Sequence, residues 1–341
     1  TNSAQADNCK IPSDFTGKEI YGNWSPGLTG TLNAIALSPD GTTLAASTNT
    51  MIYLYDPETL TELTKLEQPG FASGGYPLAW SPDGTKLATF MFLYPDSGIR
   101  IWDMEHEQIF KTLILPGDDP GSISYSLAWS PDGTKIAVAG LDTLETRVWD
   151  VEKEKLIYQA TLYAMPALKD FYGTSITITW SPDGQYLAFL DGTVIRIVET
   201  TWTTRTQMAK SFTTDMRYIL GLAWSKSDYL AAVGISYSVL IWDTNTRKLF
   251  EMPGSDQKVH GYAVSWSPDE TLLAVGRGTI VDIIDFAEQK IVQQLPEHNA
   301  PVYDMIWLPD NQMLTRTRVG WIFRWNLTTE CVEAAVRVIQ E

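Results

Sequence analysis

The chain is predicted to be all-β, a closed ring of seven four-stranded antiparallel sheets. Three observations predict it. A turn phrase of the type Trp-Ser-Pro-Asp-Gly returns seven times along the 341 residues. Short apolar runs of strand length flank the copies. In most units an aromatic residue followed by an acidic one closes a further strand.

The phrase begins as Ala36-Leu37-Ser38-Pro39-Asp40-Gly41 and returns as Ala79-Trp80-Ser81-Pro82-Asp83-Gly84 and Ala128-Trp129-Ser130-Pro131-Asp132-Gly133. Thr179-Trp180-Ser181-Pro182-Asp183-Gly184 follows, then a degenerate copy, Ala223-Trp224-Ser225-Lys226-Ser227-Asp228. The last two are Ser265-Trp266-Ser267-Pro268-Asp269-Glu270 and Ile306-Trp307-Leu308-Pro309-Asp310-Asn311. Steps between the serine positions are 43, 49, 51, 44, 42 and 41 residues. A period of 40 to 50 residues built on strands is the mark of a ring or an array of small sheets.

Each unit has the same order of elements. A first strand precedes the phrase, as in Tyr125–Trp129 and Ser175–Trp180. The phrase itself is turn chemistry. Pro presets φ, Asp bonds nearby backbone and Gly tolerates positive φ. A second strand follows, as in Lys86–Phe90 and Lys135–Ala139. The third ends in Tyr55-Asp56, Trp102-Asp103, Trp149-Asp150, Trp242-Asp243 or Trp325-Asn326, and departs to Val198-Glu199 and Ile284-Asp285 in units four and six. A fourth begins at once, as in Gln108–Leu113 and Leu156–Leu162.

One such sheet cannot bury both faces, but stacking between neighbours buries Trp80, Trp129, Trp180, Trp224, Trp266 and Trp307, and closure removes the terminal edges. The fold class is therefore a single seven-bladed β-propeller. Its blades lie near 29–67, 70–115, 121–162, 172–212, 216–251, 258–295 and 299–341, after an N-terminal extension at 1–28. The last blade holds its own fourth strand, Cys331–Ile339.

From about Gly30 to Gln340 this pattern resembles the WD-repeat family, and it is also similar to bacterial WD-like and TolB-like propellers. The family opens each repeat with Gly-His, and here only His260 and His298 stand near that place. The polar chain that joins this His to the third-strand Trp is therefore expected to be mostly absent. The resemblance implies partner binding on the face that carries the fourth-to-first and second-to-third connections, with the Ser-Pro-Asp-Gly turns on the opposite face.

Composition narrows the function classes. Lys plus Arg is 25 and Asp plus Glu is 41, a formal net charge of −16. That balance repels phosphate backbones and anionic lipid, so no nucleic acid is expected as a partner. The longest apolar stretches, such as Ala88–Tyr94, fall far short of a membrane span, so no membrane insertion is expected. Cys9 and Cys331 are the two cysteines, which excludes a CxxC zinc or redox motif. In a closed ring the two chain ends meet, which makes a Cys9–Cys331 disulfide geometrically feasible. Together with a first residue, Thr1, that is not Met, this points to an exported protein whose leader has been removed, at the cell surface, in the periplasm or outside the cell. A cytoplasmic location stays open. Asn23-Trp24-Ser25 and Asn326-Leu327-Thr328 fit the N-glycosylation pattern.

Catalytic signatures are missing: there is no Gly-x-Ser-x-Gly, no His-Glu-x-x-His and no phosphate-binding glycine loop with Lys. Three histidines, His106, His260 and His298, make a zinc site improbable, and Asp118-Asp119 sits in a Gly/Pro-rich loop. No catalytic residue, metal or cofactor is expected.

The connecting loops are rich in aromatics instead. Fourth-to-first loops run over Glu67–Tyr76, Pro116–Tyr125, Tyr163–Gly173, Thr213–Tyr218, Pro253–Tyr262 and Pro296–Tyr303, and second-to-third loops include Met91–Gly98, Gly140–Thr146, Ile235–Ser238 and Arg316–Trp321. The candidate partner-binding residues are Phe71, Tyr76, Tyr94, Tyr125, Phe171, Tyr172, Tyr218, Tyr237, Tyr262, Tyr303 and Trp321, with Arg217, Arg316 and Arg318 as charged anchors. Some of these aromatics begin or end strands and serve the core equally well.

The expected function is a non-catalytic scaffold that binds a protein or peptide partner through this aromatic face. Two alternatives stay open. One is a lactonase-like or lyase-like propeller enzyme with a metal at the central channel, for which Asn33 and Asp304 are the strongest ligand types on the innermost strands. The other is a structural subunit of an extracellular filament or layer. Neither the partner nor the oligomeric state is legible.

Overall fold

The computed structural model describes residues 32–67, 77–93, 96–114, 124–140, 145–161, 177–191, 194–202, 208–213, 219–235, 239–252, 260–295, 298–317, 319–329 and 331–338. Its strands form seven separate sheets of four, each antiparallel and each in simple chain order. The sheets span 34–67, 78–114, 124–161, 179–213, 219–252, 261–295 and 302–337. The first strand of every blade touches the first strands of both neighbouring blades, and Ala34–Leu37 meets Val302–Leu308 to complete the circle. The protein is a seven-bladed β-propeller with no helix among the described residues.

The turn phrase performs the same local task in five blades. The serine hydroxyl donates to the aspartate two residues on, at 2.6 Å for Ser38–Asp40, 2.5 Å for Ser81–Asp83 and Ser130–Asp132, and 2.6 Å for Ser181–Asp183 and Ser267–Asp269. That aspartate then accepts the backbone N–H two residues further along, as in Thr85→Asp83 at 3.0 Å. The position three after the serine has positive φ in all seven blades. Gly41, Gly84, Gly133 and Gly184 occupy it in four, and Asp228, Glu270 and Asn311 in the others. Asp and Asn tolerate this region, whereas Glu is strained there.

A second recurring turn follows the third strand. Asp56, Asp103, Asp150, Asp243 and Asp285 each accept backbone N–H groups two or three residues on, and Asn326 does the same from Thr328 and Thr329. The residue four after each aspartate again has positive φ: Leu60, Glu107, Glu154, Arg247 and Gln289. The acidic half of the Trp-Asp pair is thus a cap for a tight hairpin, which explains why Ile284-Asp285 serves equally well.

The core lies between blades. Phe90, Ile99, Ile101 and Leu113 of blade 2 pack on Leu127, Trp129, Ile136 and Trp149 of blade 3. The tryptophan before the turn serine adds a directed link, because its indole N–H donates to a carbonyl of the preceding blade. Trp80 reaches Ala36 at 3.0 Å, Trp129 reaches Ala79 at 3.0 Å, Trp180 reaches Ala128 at 3.2 Å, Trp266 reaches Ala223 at 3.2 Å and Trp307 reaches Ser265 at 3.1 Å.

One expected loop is shorter than read from the sequence. Met91–Leu93 continue the second strand of blade 2 and Asp96–Gly98 the third, with Leu93 opposite Asp96. Backbone pairing of Met91-Phe92-Leu93 with Asp96-Ser97-Gly98 extends the ladder and leaves only two positions, 94 and 95, between the strands.

Candidate partner-binding face

Antiparallel order puts the Ser-Pro-Asp-Gly turns and the third-to-fourth turns at one end of the propeller. The fourth-to-first and second-to-third connections lie at the other. The described part of this second face is best defined at blades 6, 7 and 1.

In the sequence the residue five before the turn serine position is Asn33, Tyr76, Tyr125, Ile176, Leu220, Tyr262 or Tyr303, in blade order, and all but Tyr76 and Ile176 lie among the described residues. In four blades this residue is the extra one of a β-bulge. Tyr262 stands between the pairs Gly261–Arg277 and Ala263–Gly276. Tyr303 stands between Val302–Thr317 and Asp304–Arg316. Leu220 and Tyr125 take the same place in their ladders. A bulge leaves one residue unpaired and re-aims its side chain. Close approach of the blades makes this possible. A Cβ on Gly261 would lie 2.9 Å from the Val233 side chain, and one on Gly276 would lie 3.0 Å from the Val302 carbonyl.

The structure brings three of the sequence candidates together. The Tyr262 and Tyr303 rings are 5.0 Å apart, and the Arg316 guanidinium lies 5.7 Å from the Tyr303 ring centre. Arg316 Nε is 2.5 Å from Asp304 Oδ2, and its Nη1 donates to the Leu32 carbonyl of blade 1 at 2.9 Å. Asp304 also accepts the Ile35 backbone N–H. Burial pushes the Asp304 carboxyl above its ordinary value, and Arg316 pulls the other way. Tyr303 and Arg316 are only 6% and 8% exposed, so both support the surface from below. Tyr262 is half-buried.

Trp321, a fourth candidate, starts the third strand of blade 7, stacks on Phe323 at 5.9 Å and is half-buried. It packs on the core shared by blades 6 and 7. Val319 beside it is 46% exposed. The connection into blade 7 is pinned to the second-to-third turn of blade 6 by His298 N–H to Thr279 O at 2.7 Å and Val302 N–H to Gly278 O at 2.8 Å.

Phe71, Tyr76, Tyr94, Phe171, Tyr172, Arg217, Tyr218, Tyr237 and Arg318 lie outside the described residues, as does the extension at 1–28 with Cys9. The backbone of Tyr125 is placed in its strand. Cys331 starts the fourth strand of blade 7 and is half-buried. Arg277 is 2% exposed and sits 2.9 Å from Asp282, so it belongs to the interior of blade 6.

The two polar residues that the metal alternative needs are engaged elsewhere. Asn33 donates to Asn49 at 3.0 Å, and Asp304 holds Arg316. Among the described residues no group of three His, Cys, Asp or Glu is arranged to hold a metal ion. His106 is an exposed turn residue, 3.1 Å from Asp103.

One network is not legible in the sequence. In blade 7, His298 Nδ1 lies 3.0 Å from the Thr279 carbonyl and its Nε2 lies 2.9 Å from Thr315 Oγ1, which also accepts the Trp325 indole N–H at 2.9 Å. An Nδ1–H donor and an Nε2 acceptor satisfy every member of this chain. The polar chain is thus complete in blade 7. In blade 6, Val275 replaces the threonine and Ile284 the tryptophan, which leaves His260 without that chain. The sequon residue Asn326 is likewise used by the fold, because it donates to Glu333 at 2.8 Å while capping its turn.

Comparison with known proteins agrees with this architecture. Residues 22–56 match a family model described as "WD domain, G-beta repeat". Residues 222–310 match one described as "Anaphase-promoting complex subunit 4 WD40 domain". The WD repeat-containing protein slp1 of Schizosaccharomyces pombe is 29% identical over 94 residues, which is 27% of this chain and 19% of that protein. The chain therefore aligns with less than two thirds of that relative's length. Seven blades in one ring, a complete His-Thr-Trp chain in the last of them and two partial WD-type matches make this chain similar to WD-repeat β-propellers.

Proposed function

We propose that the protein is a non-catalytic scaffold that holds a protein or peptide segment on the connection face, across blades 6 and 7. The observation that carries this reading is the Tyr262–Tyr303–Arg316 stack. Bulges aim two rings at the mouth of the axis, and a guanidinium held by Asp304 fixes one of them from below. A pre-ordered aromatic surface loses little entropy on binding. Trp321 and Val319 extend it outward. The likeness to WD-repeat domains, one of them from a subunit of a complex, supports an interaction role.

The test is native purification from the source with quantitative mass spectrometry. A stoichiometric companion that is retained by a turn-face control such as Glu105→Lys, but lost from Tyr262→Ala/Trp321→Ala, supports the reading. A companion retained equally by both variants defeats it.

We further propose that the protein is exported and that Cys9 and Cys331 are joined. Cys331 is not a free thiol in the structure. Peptide mapping without reduction tests this, and recovery of both cysteines in alkylated form refutes it.

A further inference from the structure

Seven junctions hold the ring, and five of them are built alike, with an inner and an outer link. At the inner level, each blade from the second onward presents a tryptophan to its predecessor, and five of these six indoles donate to a carbonyl across the junction. At the outer level, one residue of each fourth strand reaches the turn of the next blade. Thr64 reaches Glu107, Lys111 reaches the Val151 carbonyl, Lys210 that of Thr244 and Gln293 that of Leu327. Tyr158 packs its ring on Trp202, and Phe250 packs on Phe286.

Among the described residues the junction between blades 7 and 1 has neither kind of link, and at its outer level only the charge of Arg324 in blade 7 acts on the turn residue Asp56 of blade 1. Leu37 stands where the other blades carry tryptophan, so no indole reaches the Ile306 carbonyl. Ala334 occupies the outer position, opposite Arg324, and is too short to span to blade 1. In their place is a pair found in this blade alone. The residue four before the turn serine position is Ala34, Pro77, Ser126, Thr177, Gly221 or Ala263 in six blades, and Asp304 in the seventh. Its ladder partner, Arg316, corresponds to Ser47 in blade 1, Ala139 in blade 3, Val233 in blade 5 and Gly276 in blade 6. Both charged side chains bond backbone of blade 1, Arg316 to Leu32 and Asp304 to Ile35.

We infer that the propeller opens at the junction of blades 7 and 1, and that Arg316 and Asp304 form its latch. The apolar layer there, Leu44, Tyr53 and Leu60 against Leu308, Leu314 and Ile322, packs the two blades together. The directed links across it, however, are charged groups that water can replace as the junction parts, while an indole N–H at the other junctions has no such substitute in a closed apolar layer.

The experiment is hydrogen exchange with mass spectrometry on the full chain. Amides of Leu32–Leu37 and Val302–Leu308 are expected to exchange about fivefold faster than those of the first strands in blades 3 and 6, as the lack of one neutral indole hydrogen bond implies. Leu37→Trp, which restores the indole, is expected to slow exchange at both strands. Arg316→Gln is expected to speed it, and Leu37→Trp is expected to reverse that gain. Equal exchange at all first strands overturns the inference. So does an Arg316→Gln effect spread evenly round the ring, which marks global destabilisation instead. Should Arg316→Gln fail to fold, the single Leu37→Trp variant decides: unchanged exchange at Leu32–Leu37 refutes the latch.

Discussion

The Glu270 carboxylate of blade 6 caps the turn of blade 5: both its oxygens lie 3.1 Å from the Ser227 backbone N–H, and one accepts the Lys226 N–H. Two departures from the repeat explain each other here. Blade 5 lacks the Pro-Asp pair, so its turn exposes N–H groups that no aspartate of its own accepts. Blade 6 replaces the turn glycine with Glu270 at φ +62 and sends the missing carboxylate across the junction.

Glu270→Ala is therefore expected to destabilise the protein by about 1–2 kcal/mol, because it keeps the left-handed backbone and loses the cap. Glu270→Gly relieves the backbone and should come out close to neutral. Denaturant unfolding of the two variants side by side checks the balance. Equal losses would show that the left-handed backbone carries no strain, and an unchanged Glu270→Ala variant would show that the cap contributes nothing.

The indole links predict a contrast between two tryptophans. Trp129 donates to Ala79 at 3.0 Å, whereas the buried Trp224 indole N–H has no hydrogen-bond partner. Trp129→Phe should cost about 1 kcal/mol beyond the change in ring size, and Trp224→Phe should be milder by that amount. Chemical denaturation measures both, and a Trp224→Phe variant as damaged as Trp129→Phe would remove the hydrogen bond from the account.

Acid should loosen the turn face first. Hydrogen bonds from Ser38 and Thr42 hold Asp40 below its ordinary 3.8, and bonds from Ser81 and Thr85 hold Asp83 below it. Ser267 and Thr271 do the same for Asp269. A carboxyl with a lowered folded pKa contributes stability that is present above 3.8 and is lost as pH falls through and below that value. Stability is expected to fall steeply below about pH 4. Asp83→Asn should lower stability at pH 7 and flatten the acid limb, in unfolding curves taken from pH 7 to pH 2. An acid limb of unchanged slope would contradict this.

Thr315 carries two hydrogen bonds for the last blade. Thr315→Val keeps the shape but strands the Trp325 indole and one nitrogen of His298, both buried. A loss of about 2–4 kcal/mol is expected from two unsatisfied groups. Trp325→Phe on top of Thr315→Val should then cost little more, since the donor it removes is already unpartnered. A double-mutant cycle reads the coupling, and additive losses would deny the chain.

Much of this architecture is legible because one turn has one chemical solution. A serine that must reach an aspartate two residues on, before a left-handed residue, writes a local phrase that survives in register even where blade 5 reads Lys226-Ser227-Asp228. The face is less legible because its geometry is set between strands. Tyr262 and Tyr303 are aimed by bulges, and a bulge is a mismatch of two ladders that neither segment shows alone. Burial of Tyr303 follows from Arg316, 13 residues away on the next strand. The His298 chain is set between strands in the same way, since Thr315 carries no mark in its own strand.

The indole links all point backward, from each blade to the carbonyl of the one made before it. On a ribosome this polarity matters. A newly emerged blade finds its acceptor already formed, so each 40-to-50-residue increment can be fastened as it appears, at translation speeds of about 5–20 residues per second. Blade 1 carries Leu37 instead of the tryptophan, and the ring neighbour it faces, blade 7, is made after it. Its charged attachment to Asp304 and Arg316 can form only after the last blade has been made, so the order of synthesis is written into which residue reaches for which.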